Sequence, residues 1–281
     1  MKSAPSDSAS FLERADAALA EGDLDEAETL FRKAEKHLRK VVKQQEEKLG
    51  AKHPDTLTSR HNLARALDGV NKHAEAEAEY RAVRKLRTEV LGAKHPDTLA
   101  TRHQWAHTIF GQSAKAETEY RAVLTLREEV LGPTHPDTLA VRDDLVFLLD
   151  AYGKDAKAET EYRILIKLQE ETLGARHPDT LTSRHGLAVA LGGQKKYAQA
   201  EAEERAVLKL RQEVLGATHD ETLGTHGNLV ITLYFQDKYA EAAAECRALL
   251  KRQEEILGKD HHDTRETRKL LRSIEEEMDK K

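Results

Sequence analysis

The chain has 281 residues, 34 % of them charged, with 45 lysines and arginines against 50 aspartates and glutamates and a formal net charge of −5. That balance offers no global basic field for a dedicated nucleic-acid binder, the single cysteine, Cys246, excludes an internal disulfide, and no run approaches the roughly 18 apolar residues that cross a bilayer. No hydrophobic secretory segment is visible, so the expectation is a cytoplasmic protein with no cofactor, no nucleic-acid ligand and no membrane contact.

Residues 1–10, "MKSAPSDSAS", read as a polar N-terminal leader. Residues 11–49 stand ahead of the repeats, where a first helical hairpin is expected. At Leu49 begins the string "LGAKHPDTL", which returns unchanged at Leu91 and in variants at Leu131, Leu173, Leu215 and Leu257, at spacings of 42, 40, 42, 42 and 42 residues. A fixed period of this size marks a stacked array of one supersecondary unit. The array divides into repeats at 50–91, 92–131, 132–173, 174–215 and 216–257, followed by a capping helix at 258–281. That last helix sets Leu270, Leu271, Ile274 and Met278 on one side and charges elsewhere, as the end of an array requires.

Within residues 50–91, Pro54 has a fixed φ and no N–H to lose, and Asp55 suits the positive end of a helix dipole. Leu57, Leu63, Ala64 and Leu67 hold one face until "DGVN" at Asp68 breaks the run, which predicts helix A over 54–68. Ala76, Tyr80, Val83, Leu86 or Arg87, and Val90 then define helix B over 73–91, closed by Gly92 in an expected left-handed cap. Neither helix can bury its stripe alone, so pairs must lean on pairs. The recurring string is therefore a joint, in which "LG" ends helix B and "HPDT" starts the next helix A. The second repeat lacks two residues, and the deficit falls in "IFGQSAKA", at the turn between its helices, where length changes are tolerated.

The second halves carry small-x-x-x-aromatic-x-x-apolar strings: Ala76, Tyr80, Val83; Ala116, Tyr120, Val123; Ala158, Tyr162, Leu165; Ala200, Glu204, Val207; Ala242, Cys246, Leu249. With Leu63 and Ala64 ahead of the turn, and Phe11, Ala15, Ala27, Phe31 and Ala34 in the N-terminal stretch, the chain resembles tetratricopeptide repeat proteins. The 42-residue period and the "LG..HPDT" joint are similar to the longer-helix subclass of kinesin light chains and bacterial relatives. The resemblance implies an all-α fold, a tetratricopeptide-like α-solenoid: a right-handed superhelix of antiparallel helix pairs with a C-terminal capping helix. One departure is an arginine or histidine where the family places a large apolar residue, at Arg60, Arg102, Arg142, Arg184 and His226. Its stem can cover apolar surface while its head pairs with a helix-B glutamate.

The resemblance further implies that helices A line a concave groove that receives peptides. The two positions before Leu63 and its equivalents carry His61 and Asn62, His103 and Gln104, Asp143 and Asp144, His185 and Gly186, Gly227 and Asn228. In kinesin light chain relatives, asparagines at the second position hold a peptide backbone. Asn62 and Asn228 match, Gln104 is similar in kind, and Asp144 and Gly186 interrupt the ladder. One turn on, Arg65, His107, Phe147, Val189 and Ile231, with Tyr234 beyond, run from basic and polar to apolar. Such a gradient suits a ligand with acidic residues at one end and apolar anchors at the other; ordinary surface variation is the plainer reading. Asp143, Asp144 and Asp150 break the basic trend, either as a solvated patch or as contacts for a cation.

His53, His95, His135, His177, His219 and His261 recur once per unit at a helix start, where they can cap identically; one repeat apart, they are too distant to share a metal ion, and no metal site is expected. Cys246 and Trp105 fall on packing positions. The glutamates of "AEAEAEY" and "RQEEIL" read as exposed, solubilising charge, and no catalytic motif is present. The expected function is a non-catalytic scaffold for a protein or peptide partner. The alternatives are self-association into a homo-oligomer, for which the apolar stretch "LVFLLDAYG" at Leu145 offers a surface, and a regulatory adaptor acting on a separate effector.

Overall fold

The computed structural model describes residues 7–280. Among the described residues it contains thirteen helices and no strand: α1 (Asp7–Ala20), α2 (Leu24–Leu49), α3 (Pro54–Gly69), α4 (His73–Leu91), α5 (Pro96–Thr108), α6 (Ser113–Leu131), α7 (Pro136–Ala151), α8 (Asp155–Thr172), α9 (Pro178–Gly193), α10 (Tyr197–Val214), α11 (Asp220–Phe235), α12 (Tyr239–Ile256) and α13 (His262–Asp279). Residues 7–10, read above as leader, belong to α1. Residues 1–6 of that leader lie outside the described residues.

The chain forms two compact units that divide between Leu145 and Val146, within α7. In the first, α1 to α6 each pack on the next helix in the chain, and α3 also touches α5. In the second, α8 to α13 do the same, and α9 touches α11. Helix A of one hairpin thus lies against helix A of the next where α3 meets α5 and where α9 meets α11. Leu12, Leu30, Phe31, Leu38, Leu63 and Leu67 join one core cluster; Leu208, Leu229, Leu233, Cys246 and Ile274 join another. This is an all-α, tetratricopeptide-like solenoid fold.

The joints explain the period. Nδ1 of His53, His95, His135, His177, His219 and His261 accepts the backbone N–H two residues on, at 3.1 to 3.3 Å, so one of the orphan donors at each helix start is satisfied by an imidazole. Gly92 closes α4 at φ 93° and ψ 161°. That is an extended mirror-image conformation reserved for glycine, not the left-handed helical cap expected from sequence. The left-handed residues lie instead in the A-to-B turns, at Asn71, Lys195 and Asp237.

Buried arginines fasten the joints. Arg87 Nη1 donates to the Asp97 carbonyl at 2.9 Å and to Thr101 at 2.8 Å, while Nη2 reaches Thr58; Arg211 repeats the pattern with the Glu221 carbonyl, Thr225 and Thr182. Of the pair left open above, Arg87 rather than Leu86 is the buried one. The departure from the family pattern is a ladder: Arg60 pairs with Glu79, Arg102 with Glu119, Arg142 with Glu128, Arg184 with Glu203 and His226 with Glu245.

The helix-B glutamates are not merely solubilising charge. Glu35, Glu77, Glu159 and Glu201 bind Lys72, Lys115, Lys196 and Lys238 at 2.6 to 2.7 Å, each lysine lying at or near the start of the following helix B. Hydrogen bonds from Lys196 and Gln194 hold Glu159 down at about 2. The two missing residues of the second repeat come from the end of α5, which stops at Thr108 and leaves a four-residue turn before Ser113.

Candidate peptide-binding face

In the first unit the helix-A face is polar and largely satisfied by its own neighbours. Arg65 forms an ion pair with Asp16 of α1, so its charge is compensated within the protein. The His61 ring packs edge-on against Tyr80, centroids 5.5 Å apart. Burial, with the nearby charges of Arg87 and Arg65, lowers its pKa to about 3, so it is neutral at physiological pH. His103 packs likewise on Tyr120 and sets Nε2 2.6 Å from Asp144 Oδ2, which gives Asp144 a partner inside the protein. His107 and Asp143 are exposed. Asn62 and Gln104 are half-buried, close enough to the surface for an amide to meet a ligand. The basic end of the expected gradient is thus muted, because its arginine is paired.

The second unit carries the apolar end. Phe147 is 65 % exposed, Val189 47 % and Ile231 42 %, and Phe235, one turn past Ile231 and unnoticed in the sequence, is 57 % exposed. Tyr234 is half-buried and its ring lies 5.4 Å from Tyr239. His185 Nε2 lies 3.3 Å from Asn228 Nδ2, and burial, followed by Arg211, lowers its pKa to about 4. Gly186 interrupts the amide ladder for a packing reason. A Cβ there would lie 2.3 Å from the Tyr162 phenol, whose hydroxyl donates to Asp150; Asp150 is therefore engaged in the core rather than offered to a ligand. Of the stretch "LVFLLDAYG", Leu145, Val146, Leu148 and Leu149 are buried, which leaves Phe147 and Tyr152 as its exposed large side chains.

The same face holds a cavity of about 360 Å³ lined by Val189, Tyr197, Glu204, Asn228, Ile231 and Phe235, among others. Sequence reasoning placed Glu204 on the aromatic packing position but assigned it nothing. Its replacement of tyrosine was the available signal. A lone carboxylate can accept a hydrogen bond or pair with a cation but does not make an acid/base pair. A wider depression of about 670 Å³ on α4 is rimmed by Arg81, Arg84, Lys85 and Arg102, yet Arg84 stacks on Trp105 at 4.7 Å and Arg102 pairs with Glu119. Trp105 and Cys246 are buried, the thiol pushed up to about 11 by burial. Among the described residues no helix is long and apolar enough to cross a membrane.

A family model described as tetratricopeptide repeat matches residues 7–89, and a second of the same description matches 105–137, 180–221 and 222–263, between them more than half of the chain. The chain belongs to the tetratricopeptide repeat family. Among solved structures, a Podosopora anserina kinesin light chain protein of nearly identical TPR-like repeats is 26 % identical, with a TM-score of 0.60 over 75 % of this chain and 98 % of that one. BtubC (BKLC) from P. vanneervenii is 16 % identical, with a TM-score of 0.63 over 84 % of this chain and 92 % of that one. A signal transduction ATPase of the STAND class from Pyrococcus horikoshii, with a tetratricopeptide repeat sensor, is 11 % identical, with a TM-score of 0.66 over 95 % of this chain and 38 % of that one. The last two share the fold alone. No curated protein matches the sequence. Tetratricopeptide repeats generally serve as protein-interaction scaffolds, and that is the setting in which the exposed helix-A residues are to be understood.

Proposed function

We propose that this tetratricopeptide repeat protein is a non-catalytic, cytoplasmic scaffold that receives a segment of a protein partner on its helix-A face, with the main apolar anchors in the second unit. The observation that carries the reading is the exposure of Val189, Ile231 and Phe235 around one cavity, with Phe147 exposed at the matching helix-A position of α7. Apolar and aromatic anchors provide most of the energy of such interfaces, and a half-buried amide such as that of Asn228 can orient an extended backbone.

The test is position-specific photo-crosslinking in the native cell. A crosslinker at Ile231 is expected to trap a protein partner, and Phe147→Asp is expected to abolish the trapping with helicity unchanged by circular dichroism. Trapping from the exposed helix-B position Ala202 but not from Ile231 would overturn the reading, because the opposite face would then be the one in use.

A further inference from the structure

Glu204 stands where Tyr80, Tyr120 and Tyr162 stand in other repeats. A carboxylate fills less space than a phenol ring, and a cavity lies beside it. The side chain is 2 % exposed. Its Oε1 accepts from the Thr232 hydroxyl at 3.1 Å, while Oε2 is buried without a partner. A carboxylate oxygen removed from water and left unpaired is destabilising unless something else supplies a donor. Burial, opposed by the Thr232 bond and reinforced by the charge of Glu201, raises the acid to about 7, so the group is poised between its two states at neutral pH.

Much of the cavity wall is apolar, from Val189 on α9, Ile231 and Phe235 on α11, and Tyr197, which stacks on Phe235 at 5.6 Å with an interplanar angle of 11°, while Asn228 and Thr232 add neutral polar groups. The neighbouring charges are accounted for. Glu201, one turn earlier on α10, is held by Lys238, Arg205 and Gln236, and Lys195 lines the cavity but is itself exposed to solvent.

We infer that this cavity is a side-chain pocket for a lysine of the bound segment, with the free Oε2 of Glu204 accepting a hydrogen bond from its ammonium; the inference rests on the helix-A face being the binding face. The chemistry selects lysine in three ways. One free oxygen, the other being committed to Thr232, matches a point-like ammonium better than the two-pronged guanidinium of arginine. The four-carbon stem has apolar walls to lie against. The aromatic rings of Tyr197 and Phe235 in the lining favour a cation over a neutral donor. An entering ammonium also favours the ionised acid, so occupancy near neutral pH releases a proton to solvent.

The probe is a displayed library of random linear peptides panned on the full chain. Groove-dependent binders are those lost on Phe147→Asp, a position outside the pocket lining. Such binders are expected to share a lysine at one register. Exchanging it for norleucine weakens binding to the wild type about tenfold or more but to Glu204→Gln less than about twofold. Glu204→Tyr, which restores the ring of the other repeats, weakens the lysine peptide as the norleucine exchange does, and circular dichroism verifies that both variants fold. Groove-dependent binders without a shared lysine, or a lysine preference that survives Glu204→Gln, overturn the pocket and leave the binding face standing. Binders indifferent to Phe147→Asp, or no binders at all, overturn both.

Discussion

The two units present the same helix-A positions with different chemistry. In the first, His61 and His103 rest on tyrosine rings and Arg65 is paired with Asp16. In the second, Val189, Ile231 and Phe235 are exposed, and the ring that His61 meets in Tyr80 is replaced at the matching position by Glu204. One repeat scaffold therefore carries a face that is internally satisfied and a face that is incomplete. Surface whose groups already have partners gains little from a ligand, whereas exposed apolar area and an unpaired buried oxygen both gain.

The comparison can be broken most forcefully by exchanging its central residue. Tyr80→Glu should place an unpaired carboxylate in a full core and cost about 3–5 kcal/mol, read as a fall in the urea midpoint. Failure of that change to destabilise would mean the first unit is as open as the second. Next in size is the binding contrast: Phe147→Asp together with Ile231→Asp should lower affinity for a captured partner about 100-fold, whereas Arg65→Ala with His107→Ala should change it by no more than about threefold, as measured by calorimetry.

Glu204 supplies the pH test. Its folded-state pKa is raised to about 7 from an ordinary value of 4.5, so between those values the folded chain binds more protons than the unfolded one. Its contribution is fully present below the unfolded value and is lost as pH rises through 7. Glu204→Gln should therefore gain about 2 kcal/mol relative to wild type on going from pH 5 to pH 8 in urea titrations. The histidines run the other way. His61 at about 3 and His185 at about 4 are depressed from 6.5, so the unfolded chain takes up the proton first, and stability falls as pH drops below about 6.5. His61→Gln and His185→Gln should each recover about 2–3 kcal/mol of the stability lost between pH 7 and pH 4.5, and the two should separate only below pH 4, by about 1 kcal/mol at pH 3. Smallest is the effect of a single joint: His53→Ala in one unit and His219→Ala in the other should each cost about 0.5–1 kcal/mol in thermal melts, equally, because each removes one helix cap of the same geometry.

The repeat period, the helix starts at each joint and the packing stripe of helix B as far as Arg87 all follow from sequence, because a capping histidine and a 3.6-residue apolar pattern act locally and recur in every copy, joined by a proline in the first four joints. The tetratricopeptide architecture was legible for that reason. Other features needed the assembled fold. Residue type alone presents Arg65 as a free cation and Asp150 as an available anion; their partners, Asp16 and Tyr162, lie on other helices. Gly186 looks like a gap in an amide ladder until Tyr162 is found against it. The role of Glu204 depends on one oxygen being bonded across to α11 and the other enclosed without a donor. Local rules fix where helices begin and end, but whether a polar group is paired, buried or open to a ligand is set by what neighbouring helices bring to within a few ångströms of it.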